Sequence, residues 1–275
     1  MNNKIPQWRL IYDSPAPGAW NMAVDEAIME SISIENTPPT LRLYAWIPYC
    51  LSLGHAQRIE DVNLNALHQR QWGLVRRPTG GKAILHADEL TYSVIALQND
   101  PHVCGSILES YLRISSALLN SLKLLNIQAD ARNIDTINKK GIDNPVCFEI
   151  TSNYEITCSG KKIIGSAQSR KMNVLLQHGA IPLHGDIRRV IDVLNYQSDE
   201  ERLLATSQLC DHAGTLLSVT GQLYSWEDVA QALIHGFSET FKITLKPDML
   251  SESEIKRAQN LMSEKYANDY WTMRM

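Results

Sequence analysis

The chain has 275 residues, of which 44% are hydrophobic and 20% charged, and its formal net charge is −4. That length and apolar share fit one large domain, or one domain with a small appendage, around an ordinary core. The negative balance excludes a general nucleic-acid binder, and no run approaches the roughly 18 apolar residues of a membrane span.

The opening Met-Asn-Asn-Lys-Ile-Pro-Gln-Trp has no apolar run of the signal-peptide kind, so a cytoplasmic location is expected. Cys50, Cys104, Cys147, Cys158 and Cys210 are scattered without Cys-x-x-Cys spacing. An odd number of such cysteines points to reduced thiols, with neither a disulfide framework nor a zinc pattern. The ordinary fate of a free cysteine is a small buried hydrophobe.

In chain order, Trp8 to Tyr12 reads as a first strand, broken by Pro15-Ala-Pro-Gly18. From Asn21 the pattern is helical, with Trp20, Ala23, Val24, Ala27 and Ile28 on one face. Asn21 and Asp25, one turn apart, read as a cap and an ordinary surface acid. Strands follow at Thr40 to Trp46 and Cys50 to Gly54, then a short helix at Leu64 to Gln71. Leu74-Val-Arg-Arg-Pro leads into a Thr79-Gly80-Gly81 turn. Leu90 to Leu97 is a strand with Leu90, Tyr92, Val94 and Ala96 on one face. Ile107, Tyr111, Ile114, Leu118, Leu122 and Leu125 recur at three- and four-residue spacing, so Ser106 to Leu125 is a long amphipathic helix with a core-facing stripe.

Two strands joined at Ser159-Gly160 form a hairpin that folds Lys162 back toward Cys147, and Asn173 to Leu183 is a further strand. Beyond Gly185 the chain turns helical. Ser225-Trp-Glu-Asp and Ser251-Glu-Ser-Glu read as capping boxes, opening helices that carry Val229, Leu233, Ile234 and Phe237, and Ile255, Ala258, Leu261 and Met262. The expected fold is α/β in the α+β sense, with mixed, mostly antiparallel strands packed against helices. Residues 1–220 would form the main domain, and 221–275 a helical extension packed on it.

Two stretches carry chemistry. A glycine turn lets a backbone approach a ligand closely, and Arg76 and Arg77 beside it can hold an anionic or strongly polar group. An ammonium beside a thiol favours the thiolate, so Lys162 near Cys147 would make a nucleophile from a group that is otherwise mostly protonated at neutral pH. Such a pair fits acyl transfer: the sulfur holds a thioester, Lys162 helps deprotonate the incoming amine, and loop N–H groups stabilise the oxyanion. On spacing alone, a buried cysteine beside an exposed lysine is the favoured reading, given how often a free cysteine is buried. Arg76, Arg77, Lys161, Lys162, Arg170, Lys171, Arg188 and Arg189 gather around these motifs. They form either a local basic face for an acidic partner or a solvated surface.

Arg76-Arg-Pro-Thr-Gly-Gly-Lys-Ala-Ile-Leu-His86 with Asp88-Glu-Leu-Thr-Tyr-Ser-Val94 resembles the signature of the biotin/lipoate protein ligase superfamily. More narrowly it resembles the octanoyltransferases that look like lipoate ligases. Asn21-Met-Ala-Val-Asp-Glu26, Pro145-Val-Cys-Phe-Glu149, and Gly160-Lys-Lys-Ile-Ile-Gly-Ser-Ala-Gln168 with Leu176-Gln-His-Gly179 follow the same family in order. The resemblance implies a biotin/lipoate protein ligase-like catalytic domain, and transfer of octanoyl from octanoyl-acyl carrier protein to a lysine of a lipoyl domain. The glycine cleavage H protein is the expected acceptor. It assigns the thioester to Cys147 and the lowering of its pKa to Lys162. Substrate binding falls to Arg76, Arg77, Thr79, Gly80, Gly81, His86, Gly165, Ser166, Ala167 and His178. No cofactor, metal, ATP, membrane or nucleic acid is implied, and a monomer is expected.

The alternatives are an ATP-dependent lipoate ligase, an amidotransferase between lipoyl domains, and a non-catalytic acyl- or carrier-binding relative. Ligases of this superfamily typically carry a third glycine where Lys82 stands, and need no cysteine at 147. His55, in Leu53-Gly-His-Ala-Gln57, stands where the family has a bulkier side chain, which touches the expected shape of one pocket wall.

Overall fold

The structure, a computed structural model, describes residues 5–133 and 154–274. In chain order its first elements are β1 (Gln7–Tyr12), α1 (Gly18–Glu35), β2 (Thr40–Tyr44), β3 (Cys50–Leu53), α2 (Leu64–Gln69), β4 (Gly73–Arg76), β5 (Ile84–His86) and β6 (Glu89–Leu97). Next come α3 (Ile107–Leu124), β7 (Asp130–Asn133), β8 (Tyr154–Cys158), β9 (Lys161–Lys171) and β10 (Val174–Pro182). The last part holds α4 (Asp199–His212), α5 (Leu216–Thr220), α6 (Trp226–Phe241), β11 (Thr244–Asp248), α7 (Glu252–Leu261) and α8 (Asp269–Thr272).

An eight-stranded sheet runs β11-β1-β2-β6-β10-β9-β8-β7, and a three-stranded sheet runs β4-β3-β5. The larger sheet is mixed. Its first ladders, β11 to β1 and β1 to β2, are parallel, and those from β2 through β6, β10, β9 and β8 to β7 are antiparallel. The α+β expectation holds.

Alternation along β6 decides what each face carries. Leu90, Tyr92, Val94 and Ala96 enter the cluster with α3 and α6, whereas Ile95 enters the one beneath α1. Helix α3 starts where Ser106 and Glu109 close a capping box. It buries Ile114, Leu118 and Leu122 against Val229, Leu233 and Phe237 of α6. Gly236 permits that approach, since a Cβ there would stand 2.1 Å from Ser121 Oγ. The stripe is shorter than its spacing predicts, because Ile107 at the first turn is 63% exposed.

The capping boxes at Ser225 and Ser251 are present. Residues beyond 220 are not helical throughout, however, because Thr244–Asp248 adds a parallel edge strand to β1. Helix α7 packs on α1, and Glu254 grips Arg9 at 2.7 Å. Among the described residues no helix is long and apolar enough to cross a membrane.

Asn21 and Asp25 are not the surface cap and acid that their spacing predicts: both are fully buried. The sheet covers one side of α1 and α7 the other, which leaves little room for a solvated face. Arg42 of β2 donates to Asp25 at 2.7 Å, to Asp13 at 2.6 Å and to the Asn21 side chain at 2.9 Å. Tyr44, Ser93 and His178 also bond Asp25. Burial alone would raise the Asp25 pKa, but the charge of Arg42 and the contacts with His178 outweigh it and hold the carboxyl below its ordinary 3.8.

Breaking a buried pair strands its partner, so Asp25→Ala should cost about 3–5 kcal/mol in denaturant melts. A depressed carboxyl stabilises the fold above the unfolded value and loses that contribution as pH falls through the folded one. Asp25→Asn should therefore flatten the part of the melting-temperature profile below pH 3.8 relative to wild type.

Candidate active site

Strands β9 and β10 pair so that Gly165, Ser166 and Ala167 stand opposite Ala180, Gly179 and His178. These six residues wall a cavity of about 350 Å³ of empty space that opens to solvent, with an accessible lining almost wholly of carbon. Met22, Tyr44 and Trp46 face them, and Arg77, Ile84, His86 and Thr91 complete the wall. Of the residues expected to bind substrate, Arg77, His86, Gly165, Ser166, Ala167 and His178 thus meet in one place. Gly179 must lack a side chain there, since a Cβ would press Tyr92 at 2.6 Å and Ser166 Oγ at 2.7 Å.

Two histidines set the polar points of this wall. His178 Nδ1 lies 3.2 Å from Asp25, and its Nε2 lies 2.7 Å from Thr79 Oγ1. Burial pushes the ring below its ordinary value of 6.5 against the opposing pull of Asp25. A neutral ring beside a carboxylate donates from Nδ1, and Nε2 then accepts from the Thr79 hydroxyl. His86 stacks on Trp46 with centroids 3.9 Å apart, and reaches Ser52 Oγ at 2.8 Å and Glu89 at 2.6 Å. Trp46 and Thr91 continue the chain to Glu89 at 2.7 and 2.5 Å. Behind His86 and Glu89 lies a second cavity of about 530 Å³, which shares Ile84 with the first and reaches Ala213 and Gly214.

The Thr79–Gly81 turn crosses directly over Gly54. His55 N donates to Thr79 O at 2.8 Å, and a Cβ on Gly54 would fall 1.8 Å from Gly81 O. Gly81 adopts φ +93°, where glycine is favoured, and a Cβ on Gly80 would meet nothing within 4 Å. His55 itself packs against Trp271, away from the cavity, so it does not shape that wall.

The two arginines diverge. Arg76 is fully buried and gives its donors to main-chain carbonyls: Gly54, His55 and Gln57 on one side, Thr272 and Arg274 on the other. It points away from the cavity. Arg77 bonds the Ser52, Gly80 and Lys82 carbonyls and reaches the cavity wall. Arg77 holds the glycine turn through the Gly80 carbonyl and Arg76 holds the Gly54 to Gln57 segment beneath it, a use that the sequence pattern does not reveal.

Ser159 and Gly160 both have positive φ, as the tight turn of a two-residue hairpin requires. Cys158 pairs with Lys161 and Thr157 with Lys162, and a bulge follows before Ile156 meets Ile164. Lys162 is 4% exposed, and its Nζ lies 2.7 Å from Glu155 Oε1. Lys161 turns instead to the Cys210 carbonyl. Cys147, with the Pro145 to Glu149 stretch around it, lies outside the described residues. Among the described residues no group of three or more His, Cys, Asp or Glu side chains is placed to hold a metal ion.

Residues 17–238 match the family model of the lipoyl protein ligase A/B catalytic domain. The chain belongs to that family. An octanoyltransferase LipM of Kyrpidia tusciae is 41% identical, the match covering 97% of this chain and 98% of that one. The octanoyltransferase LipM of Brevibacillus brevis is 36% identical over 98% and 100%. Among solved structures, a bipartite lipoate protein ligase of Thermoplasma acidophilum superposes with a TM-score of 0.81 at 27% identity, covering 98% and 96% of the two chains. A lipoate-protein ligase A bound with ATP gives 0.79 at 26%, covering 97% and 98%. The family read from the four sequence motifs is therefore borne out, as is its fold.

Tyr44 and Trp46 also line the cavity, and Asp25 and Glu89 hold its two histidines, though sequence reasoning passes over them as strand and helix residues. The Asn21-Met-Ala-Val-Asp-Glu26 motif reaches Asp25, and the Asp88 to Val94 motif reaches Glu89.

Gly54 beneath the turn and Gly80 within it should separate structure from binding. Gly54→Ala should destabilise the fold by about 1–3 kcal/mol through overpacking, and should abolish protection of the His55 amide in hydrogen exchange. Gly80→Ala should leave stability within about 0.5 kcal/mol. Any activity lost in it then reports contact with substrate.

Proposed function

We propose that this protein transfers an octanoyl group from octanoyl-acyl carrier protein to a lysine of a lipoyl domain, with the glycine cleavage H protein as the favoured acceptor. The end-to-end match to octanoyltransferases carries the reading, since it spans the whole chain and not one motif. The cavity agrees with it. Its accessible lining is almost wholly apolar, which suits a short apolar chain, with a few polar groups to fix one end.

Cys147 is the proposed nucleophile. Its thiolate attacks the donor's thioester carbonyl, one carbon–sulfur bond forms as the other breaks, and the carrier thiol leaves. The acceptor amine then attacks the new thioester, the amide forms, the amine's proton is lost to water, and the Cys147 sulfur is released. The Lys162 ammonium supplies the positive charge that favours the thiolate in both steps. Thr79, His178 and Arg77 would border the reacting carbonyl, where the apolar wall ends. This chemistry uses no ATP, and the expected setting is the cytoplasm.

The test is the intact mass of the purified protein after incubation with octanoyl-acyl carrier protein, without ATP. A hydroxylamine-sensitive octanoyl adduct is expected, absent in Cys147→Ala and discharged by apo H protein. Discharge onto other lipoyl domains alone would favour an amidotransferase. No adduct, with modification of a lipoyl domain that requires free octanoate and ATP, would make the protein a ligase.

A further inference from the structure

The pair formed by Lys162 and Glu155 is the feature whose chemistry the family likeness leaves open. Both side chains are about 5% exposed, and Nζ to Oε1 is 2.7 Å. The hairpin register explains how they meet. Thr157 stands opposite Lys162, so Glu155, two residues before Thr157, projects from the same face. The bulge between the Thr157–Lys162 and Ile156–Ile164 pairs skews the ladder locally and re-aims side chains beside it. The Gly214 amide holds the Lys162 carbonyl at 3.0 Å, which pins the strand while the side chain turns inward.

We propose that Glu155 is a positioning residue for acyl transfer: its carboxylate holds the Lys162 ammonium in one orientation and keeps it charged inside the protein. The inference rests on the reading of Lys162 given above. A buried ammonium sheds its proton readily unless an anion sits beside it. Glu155 is that anion, so Lys162 acts as a fixed positive charge rather than as a base toward the incoming amine. Among the described residues, other titratable groups nearby are Cys158 on β8, which is buried in the core, and Lys161, whose Nζ bonds the Cys210 carbonyl. Cys210 lies at the end of α4, where Asp211 and His212 are solvent-exposed.

The direct test is ionisation of Lys162 followed by 13Cε-lysine NMR, with the signal assigned from Lys162→Arg. Wild type should keep the ammonium throughout pH 6–9, and Glu155→Gln should lose it at lower pH. Superimposable titrations would overturn the proposal whatever the fate of the cysteine reading, because this signal does not depend on Cys147. The second readout is the pH–rate profile of octanoyl transfer. Glu155→Gln should lower kcat on the order of tenfold at pH 7, as expected when a thiol loses about one pKa unit of help from a neighbouring cation. Its acidic limb should move up and its alkaline limb down, with KM for the donor little changed. A merely structural role would scale the profile without moving either limb, and that result would also overturn the proposal. Glu155→Asp keeps the charge on a shorter arm and should restore the wild-type limbs in part. It also serves as the folded comparison if Glu155→Gln unfolds, and limbs in Glu155→Asp as displaced as those of an uncharged residue would count against the assignment.

Discussion

An ionised carboxylate buried at the middle of the molecule is the constraint from which the site follows. Asp25 is fully enclosed, and an enclosed charge survives only when donors surround it. Those donors come from three adjacent strands: Arg42 and Tyr44 on β2, Ser93 on β6 and His178 on β10. Helix α1 is thereby locked in register against the sheet. The bond to His178 passes the constraint on, because the same ring reaches Thr79 at 2.7 Å. Thr79 begins the glycine turn, whose next contacts are the His55 amide and Gly54. The position of the turn is thus tied, through the Thr79 hydroxyl and the His178 ring, to a charge in the core.

Much of this fold was legible because its long elements repeat with the right period. The α3 stripe, the β6 alternation and the tight Ser159-Gly160 turn are local patterns, and each appears where the pattern puts it, apart from the exposed Ile107 that opens the stripe. What escaped is what only tertiary placement decides. Asp25 carries the signature of a surface acid, and nothing local announces that α7 will cover the outer side of its helix. Strand β11, Thr-Leu-Lys-Pro-Asp, is an exposed edge with a lysine and a proline, the composition that edge strands use and that hides them from alternation counts. Glu155 is one acid among many until the register places it beside Lys162. The pocket list read from the family motifs divides in the same way. Six of those residues line the cavity. Arg76 serves the main chain instead, and Thr79, Gly80 and Gly81 form the turn that packs over Gly54 and meets His178 through the Thr79 hydroxyl.

The double arginine shows how one dipeptide can serve two ends. Adjacent residues leaving a strand point to opposite sides. Arg76 therefore turns toward the C-terminal residues and Arg77 toward the glycine turn. The fixed fork of a guanidinium suits several carbonyls at once, and Arg76 bonds carbonyls of residues 54–57 and of residues 272 and 274. Trp271 returns the contact by donating its indole N–H to the Arg76 carbonyl at 2.8 Å. The last residues of the described chain are consequently part of the footing of the glycine turn, although more than 190 positions of sequence separate them from it.

The paired lysines obey the same alternation with a different outcome. Lys161 reaches out to the carbonyl of Cys210 and fastens the hairpin to α4, whereas Lys162 turns inward to a carboxylate. A single lysine cannot do both, because a side chain tied to a surface carbonyl has no charge to offer the interior. An inward lysine alone would fare no better, since burial would strip its proton. The hairpin answers both demands with two consecutive lysines for the two directions and an acid on the neighbouring strand for the inward one. The tight turn at Ser159-Gly160 fixes which lysine faces which way. Shifting that register by one residue would exchange them, turning Lys161 inward and Lys162 outward.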